Sequence, residues 1–472
     1  MRNFNQAYID GVFTPVQGNE TVQIINPTTE RVIGTATLAN REDAKRAIAA
    51  AARAQPALGR TTKAERIDML KRLQSAVLAR TDDICEATVA EYGGPSSRAK
   101  WVSQYASQCF ANTAEVLKSY DFTRRIGTAD VVMEPVGVSA LIVPWNSIAG
   151  TMCSKLASAI AAGCASVIKP SEFSPLQTQV VAEAMNDAGL PAGIFNILIG
   201  RGADVGDELS TSPDVTKISF TGSTQTGKII ARAGMETMKR VSLALTGKSA
   251  SLLLDDADFA SAIPLALGAA FMNNGQACVA GTRLLVPRTR RDEVIDLVRK
   301  TVATMQVGEP GNPSTTIGPM ATKAQYERIQ RYIRLGLEQG ATLVTGGEGR
   351  PQGLDVGYFV KPTVFADVSN DMDIARDEIF GPVLSVISYE DEDDAIRIAN
   401  DSVYGLQAYV FSSEPDRARR VASRLQAGTV LINRISPDLL APFGGFKQSG
   451  VGREFGIFGL EAFLEAKTIV AP

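Results

Sequence analysis

Four short apolar runs recur between residues 138 and 222: "VSALIVP" (138–144), "ASVIKP" (165–170), "IFNILIG" (194–200) and "KISFTG" (217–222). Each is too short for an ordinary helix, carries β-branched residues and ends in Pro or Gly. Each therefore reads as a strand buried on both faces. Helical sequence lies between them, and one such helix opens at Ser174, Pro175 and Gln177 and ends at Gly189. Strand and helix in alternation predict a parallel sheet covered by helices, an α/β fold. A second β/α series follows from about residue 247, with "TRLLVP" (282–287) and "GTVLINR" (428–434) as strands and 291–305 as a helix. Ahead of both series, 41–54 and 62–80 read as helices. The second opens with Thr62 and Glu65 at capping-box spacing and places Leu70, Leu73 and Val77 on one face. Residues 121–137, between these helices and the first strand, read as an extended hairpin.

The 472-residue chain has no histidine, which removes Ser-His-Asp triads, HExxH zinc sites and His-assisted hydride transfer. Its five cysteines (Cys85, Cys109, Cys153, Cys164 and Cys278) are odd in number and form no CxxC. Neither a disulfide framework nor a metal site is expected. A formal net charge of −3 without a basic run argues against nucleic acid or an acidic membrane surface as partner. The start of the chain has no apolar signal region, and no apolar run reaches spanning length; "LASAIAAGCASVI" is broken by Gly163. A soluble, cytoplasmic protein is expected.

Chemistry concentrates in a few segments. "FMNNGQACVAGTR" (271–283) sets Cys278 among small and amide residues, as a nucleophile needs, although a free cysteine also serves as a small buried hydrophobe. "FTGSTQTGKI" (220–229) follows a strand and opens a helix, where free N–H groups favour a phosphate. It matches seven positions of a P-loop but has Ile229 where Ser or Thr must hold magnesium, which argues against a nucleoside triphosphatase. A glycine-rich turn without a ligand is the alternative, and "IGRGADVG" (199–206) is a second such turn. "IKPSEFSP" (168–175) puts Lys169 and Glu172 past a strand end, where a carboxylate can accept from a ribose diol and repel a 2′-phosphate; a solvated ion pair is the plainer reading. In "VPWNSIAG" (143–150), Asn146 either donates to an oxyanion or caps the next helix.

Taken in order, "PWN" (144–146), "KPSE" (169–172), "GLPAGIFNIL" (189–198), "FTGSTQTG" (220–227), "NNGQACVAGTR" (273–283), "EIFGPV" (378–383), "YGL" (404–406) and "PFGGFKQSGVGRE" (442–454) resemble the aldehyde dehydrogenase superfamily over nearly the whole chain. The resemblance implies an NAD-binding, Rossmann-like domain (1–121 and 136–246), a catalytic α/β domain (247–455) and an oligomerising flap with its closing strand (122–135 and 456–472). It implies NAD-dependent oxidation of a small-molecule aldehyde, with NADP possible, by a homodimer or homotetramer. Cys278 would be the nucleophile, with the Asn146 side chain and the Cys278 N–H as oxyanion donors. Lys155 and Glu454 would assist proton transfer and order in the site. Lys169 and Glu172 would hold the adenosine ribose, Ser223 the pyrophosphate and Glu378 the nicotinamide ribose, with Phe380 near the ring. Pro144, Trp145, Ser171, Gly202, Gly206, Phe220, Gly222, Gly227 and Leu245 would complete the cofactor site. A cysteine attacking a carbonyl in this way needs no imidazole, because oxyanion donors and a cationic nicotinamide favour the thiolate adduct.

One departure stands out. The family pattern L-E-L-G-G-K appears here as "LALTGK" (243–248), with Ala244 in place of the base glutamate and Thr246 in place of a glycine. General-base assistance is worth roughly 10²–10⁴-fold, and its loss would fall on thioester hydrolysis. Three explanations follow: a substitution made to trap a bound state, another base such as Glu454 acting through water, or transfer of the acyl group to a thiol such as coenzyme A. An NAD-binding pseudoenzyme is a further alternative, opposed by the retained Cys278, Asn146 and Glu378. Matching to the family places Ser147, Thr151 and Ser154 by the substrate tunnel. Small hydroxyl residues there predict a ring-bearing or branched aldehyde. Arg434 either attracts an anionic substrate or faces solvent.

Overall fold

The four apolar runs become adjacent parallel strands. In the computed structural model, which describes residues 2–471, they are Ser139–Ile142, Ser166–Lys169, Phe195–Ile197 and Lys217–Thr221. With Arg240–Ala244 they form the parallel centre of an eight-stranded sheet, flanked by Gly450–Val451 on one side and by Gln6–Ile9 and Val12–Pro15 on the other. All residues of the first three strands are buried, as strands covered on both faces require. The Ala-rich helix Ile148–Ala162 lies almost wholly in the interior and stops at Gly163, whose φ of +85° suits glycine. The helices predicted early in the chain span Arg41–Gly59 and Lys63–Ala79. The predicted capping box forms: the Thr62 side chain accepts from the Glu65 N–H, and the Glu65 carboxylate accepts from the Thr62 N–H at 2.7 Å.

The order of strands creates a crevice. From Ser139–Ile142 the chain moves outward to Ser166–Lys169 and Phe195–Ile197, then returns to the opposite side for Lys217–Thr221 and Arg240–Ala244. The reversal lies between Ser139–Ile142 and Lys217–Thr221, which pair directly. Loops leaving the carboxyl ends of two such strands run in opposite directions and leave a gap between them. Here those loops carry Pro144-Trp145-Asn146 and Gly222-Ser223.

A second, seven-stranded sheet runs in the order Thr342–Thr345, Thr363–Ala366, Val383–Tyr389, Arg283–Pro287, Ala250–Leu253, Gln407–Phe411, Thr429–Ile432. It is parallel except for its first pair. The first sheet and its helices share one hydrophobic core, which includes Leu245 and nothing from 246–459. Residues from Ala250 onward pack two cores on the faces of the second sheet. Residues 247–249 thus bridge two bodies. The hairpin read at 121–137 forms as Thr123–Ile126 and Ala129–Pro135, joined by Leu464–Val470 in a separate three-stranded sheet.

Candidate active site

The segment holding Cys278 follows three left-handed residues, Asn273 (φ +54°), Asn274 (φ +60°) and Gly275 (φ +73°). Asn and Gly tolerate this region best. The turn is held from outside. Asn274 Nδ2 donates to the carbonyls of Gly93 and Pro319, each at 3.1 Å, and Tyr92 OH donates to Asn273 O at 2.9 Å. Gln276 Nε2 donates to Tyr92 OH, and its Oε1 accepts from Ala321 N. The amide residues that flank the cysteine in sequence are therefore a scaffold that fixes its loop.

The crevice opens onto this loop. Pro144, Trp145, Asn146, Gly222, Ser223, Ala244, Leu245, Thr246, Cys278, Glu378 and Phe380 line one cavity of about 480 Å³. Asn146 does not cap the following helix, whose N-cap is Ser147. Instead Asn146 Nδ2 donates to Gln276 O at 2.9 Å, and Asn146 O accepts from Asn273 Nδ2 at 3.0 Å. One amide N–H is spent on the Cys278 loop, and the second has no partner among the described hydrogen bonds. Asn146→Ala is expected to lower kcat by roughly 10²–10³, read as steady-state NADH formation, with the thermal unfolding midpoint little changed.

Burial pushes the Cys278 thiol up to about 12, and the negative charge of Glu378 adds to the rise. Glu378 itself is pushed up to about 7 by burial, opposed by the Gly247 N–H, Thr246, Lys248 and Arg328. Its loop is gripped from the helix Lys323–Glu338: Arg328 donates to Glu378 O at 2.7 Å, and Gln325 donates to the carbonyls of Ile379 and Phe380. Phe380, at φ +62°, meets Trp145 edge-on with centroids 5.4 Å apart.

Along the first sheet, the Lys169 ammonium is buried and donates to Pro170 O and Gly200 O, both at 2.9 Å. Burial lowers its pKa. Glu172 stands 3.8 Å from Lys169 and 3.4 Å from Arg201, so it is neither free nor merely solvated. Gly202–Gly206 form a single wide turn beside Lys169, and buried Ser171 accepts from Phe173 N. Ser223 caps the helix Thr224–Met235 by accepting from Thr226 N at 3.2 Å. A side chain at Gly227 would meet Leu245 at 2.6 Å, and one at Gly222 would meet the Phe220 ring at 2.4 Å. Both glycines are needed for close packing. Lys228, the P-loop lysine by spacing, turns away to Gln448 Oε1. The arrangement is a cleft with the N-terminus of the helix Thr224–Met235 and Cys278 both on its lining, and with Glu172, flanked by Lys169 and Arg201, on the loop after the neighbouring strand.

Residues 13–469 match the aldehyde dehydrogenase family. The chain belongs to that family. It is 43% identical to the 3-succinoylsemialdehyde-pyridine dehydrogenase of a Pseudomonas species, over 100% of this chain and 99% of that protein. Aldehyde dehydrogenase C of Pseudomonas syringae, solved as a mutant with NAD+ and octanal, superposes with a TM-score of 0.98 at 42% identity, covering 99% of this chain and 97% of that one. An aldehyde dehydrogenase of Mycobacterium tuberculosis complexed with NAD+ gives a TM-score of 0.97 at 37% identity, covering 100% and 99%.

The remaining positions of this aldehyde dehydrogenase fall outside the main cavity. Lys155 Nζ donates to Ser219 Oγ at 2.8 Å and pairs with Glu454 in a small neighbouring cavity that Ser154 also lines. Ser154 faces a second small cavity with Tyr105, Leu440 and Phe455. Thr151 N donates to Ser147 O along the helix, and Arg434 is exposed. Gln325, Arg328 and Tyr404 line the cleft and carry no local signal of it in the sequence. Each sits in an ordinary polar helix or loop, and only the fold brings it to the cleft. No helix among the described residues is long and apolar enough to cross a membrane.

Proposed function

We propose that this aldehyde dehydrogenase oxidises an aldehyde by way of a covalent adduct on Cys278, with NAD as hydride acceptor. The observation that carries this reading is the convergence of Cys278, Asn146 and Glu378 on one cavity that reaches the N-terminus of Thr224–Met235. The cleft fits a dinucleotide: Ser223 and the N–H groups behind it suit a pyrophosphate, and Glu172, on the loop after the strand Ser166–Lys169, offers acceptors for a ribose diol. When bound, the dinucleotide supplies the hydride acceptor. Cys278 Sγ attacks the carbonyl carbon, Asn146 and the Cys278 N–H stabilise the oxyanion, and loss of hydride leaves a thioester on Cys278. With a methyl at 244, release of that thioester is the slow step.

The body built on the first sheet serves as the cofactor domain and that built on the second as the catalytic domain. The three-stranded flap exposes Ile126, Ile469 and Val470 and leaves its outer strands open, which suits homodimer or homotetramer formation. Small Ser147, Thr151 and Ser154 favour a ring-bearing or branched aldehyde over acetaldehyde. Glu172 favours NAD over NADP. Intact-mass measurement after incubation with NAD and an aldehyde panel tests the reading. An acyl adduct on Cys278 accompanied by a burst of NADH is expected; no adduct with any aldehyde that yields NADH would overturn it. A second reading is favoured by Ala244 alone: the acyl group passes to coenzyme A, and added coenzyme A would then discharge the adduct faster than water does.

A further inference from the structure

Ala244 ends its strand in the crevice, its carbonyl accepting from Gly222 N, and its methyl group can take no proton. A base for an attacking water must come from elsewhere. Glu454 is paired with Lys155 and lines a different cavity. Asp377 lines the main cavity but accepts from Tyr332 OH at 2.7 Å. Glu378 is better placed. It shares the cavity with Cys278 and Ala244, and Gly247 links it to the nucleophile. Glu378 Oε1 accepts from Gly247 N at 3.2 Å, while a Cβ built on Gly247 would stand 2.3 Å from the Cys278 carbonyl oxygen. A single glycine therefore separates the carboxylate from the backbone of the cysteine. Next to it, the Thr246 hydroxyl oxygen accepts from Thr224 N at 3.3 Å, which leaves its proton to face the cavity it shares with Glu378, where it favours the anion.

We propose that Glu378 is the base of deacylation in this chain and that Thr246 is its positioning residue. The proposal rests on the Cys278 thioester of the preceding section. Water oxygen bonds to the acyl carbon as one water proton passes to a Glu378 carboxylate oxygen. The tetrahedral adduct then breaks its C–S bond, and the departing sulfur recovers that proton from Glu378. The products are a carboxylic acid and the Cys278 thiol, and nothing is oxidised or reduced. The charged and titratable groups around Glu378 are Lys248 in the bridge, Arg328 on the helix Lys323–Glu338, Tyr404 before the strand Gln407–Phe411, neighbouring Asp377 and Cys278. Their balance with burial leaves a carboxyl that titrates near neutrality, where a general base is most effective.

The test needs no dinucleotide. p-Nitrophenyl acetate acetylates Cys278 directly, the adduct is located by mass, and its hydrolysis is followed against pH. In the wild-type protein the rate is expected to rise with pH through a midpoint near 7, as Glu378 becomes anionic. Once acetylated, Glu378→Gln is expected to hydrolyse roughly 10²-fold more slowly, without that rise, and Glu378→Asp to recover part of the rate. Thr246→Ala removes a hydrogen bond that favours the anion, so the midpoint is expected to move upward by roughly one pH unit. Hydrolysis of acetylated Glu378→Gln at the wild-type rate would overturn the proposal, as would an unmoved midpoint in Thr246→Ala. If Glu378→Gln does not fold, a wild-type rate that is flat across about pH 6–8 does the same. Failure of the wild-type protein to acquire any acetyl group on Cys278 would instead remove the thioester reading beneath it.

Discussion

Cys278→Ala is expected to lower aldehyde oxidation by roughly 10⁴-fold or more while leaving dinucleotide binding and folding nearly unchanged. The change removes one sulfur from a partly buried side chain that faces a cavity, so little packing is lost. The residues proposed to hold the cofactor, Lys169, Glu172 and Ser223, lie on loops of the first sheet, and their hydrogen bonds and ion pairs do not involve Cys278. No other cysteine can substitute. Cys109, Cys153 and Cys164 are buried in the first core, and Cys85 lies by Ser96, away from the cavity. Acidity does not single out Cys278, since burial raises the other four thiols as well. What distinguishes it is its place on the lining of the cavity that Asn146 also lines. Single-turnover NADH formation and titration of NAD by intrinsic fluorescence check the two halves of this expectation; oxidation that survives in Cys278→Ala would remove the nucleophile assignment.

Ala244→Glu is expected to raise steady-state turnover by roughly 10²-fold, the lower end of what general-base assistance provides, because the proposed base Glu378 would already supply part of that assistance. The residue ends the strand Arg240–Ala244 inside the cavity shared with Cys278, so a carboxylate there reaches the water that attacks the thioester. The first hydride transfer is expected to change little, because attack and hydride loss use the sulfur, the oxyanion donors and the cofactor. Rapid-mixing traces separate the two. The wild-type protein should show a burst of NADH followed by a slow phase, and the variant should show the slow phase merging with the burst. A second carboxylate near Glu378 also repels it, so the near-neutral midpoint of wild-type deacylation should move upward in the variant. An unchanged slow phase would indicate that release of the acyl group is not limited by a base.

Local sequence was sufficient for some elements and insufficient for others. The parallel strands, the capping box at Thr62 and the hairpin at 121–137 all express period, length or capping chemistry that neighbouring residues carry by themselves. The strands Gln6–Ile9 and Val12–Pro15 carry no legible signal, because four residues at a sheet edge have too little pattern. Local sequence leaves Asn146 between helix cap and oxyanion donor. Its partner Gln276 lies 130 residues away, and no local signal reports that contact. Glu172 is ambiguous for the same reason: whether it is solvated or held depends on Arg201, which approaches from a separate loop.

By itself, the chain's order of residues determined which chemistry is possible: no imidazole anywhere, one cysteine in an amide-rich turn, and a methyl at 244. It also determined the α/β rhythm, since alternating short apolar runs and amphipathic segments can bury their surfaces in few ways. Tertiary structure alone decided which groups meet. Strand order placed the loops at 144–146 and 222–223 around one crevice, and Gly247 brought the Cys278 loop and Glu378 together. Such meetings depend on the packing of elements far apart in the chain, where the energy of contact is shared among many residues and written in none of them singly.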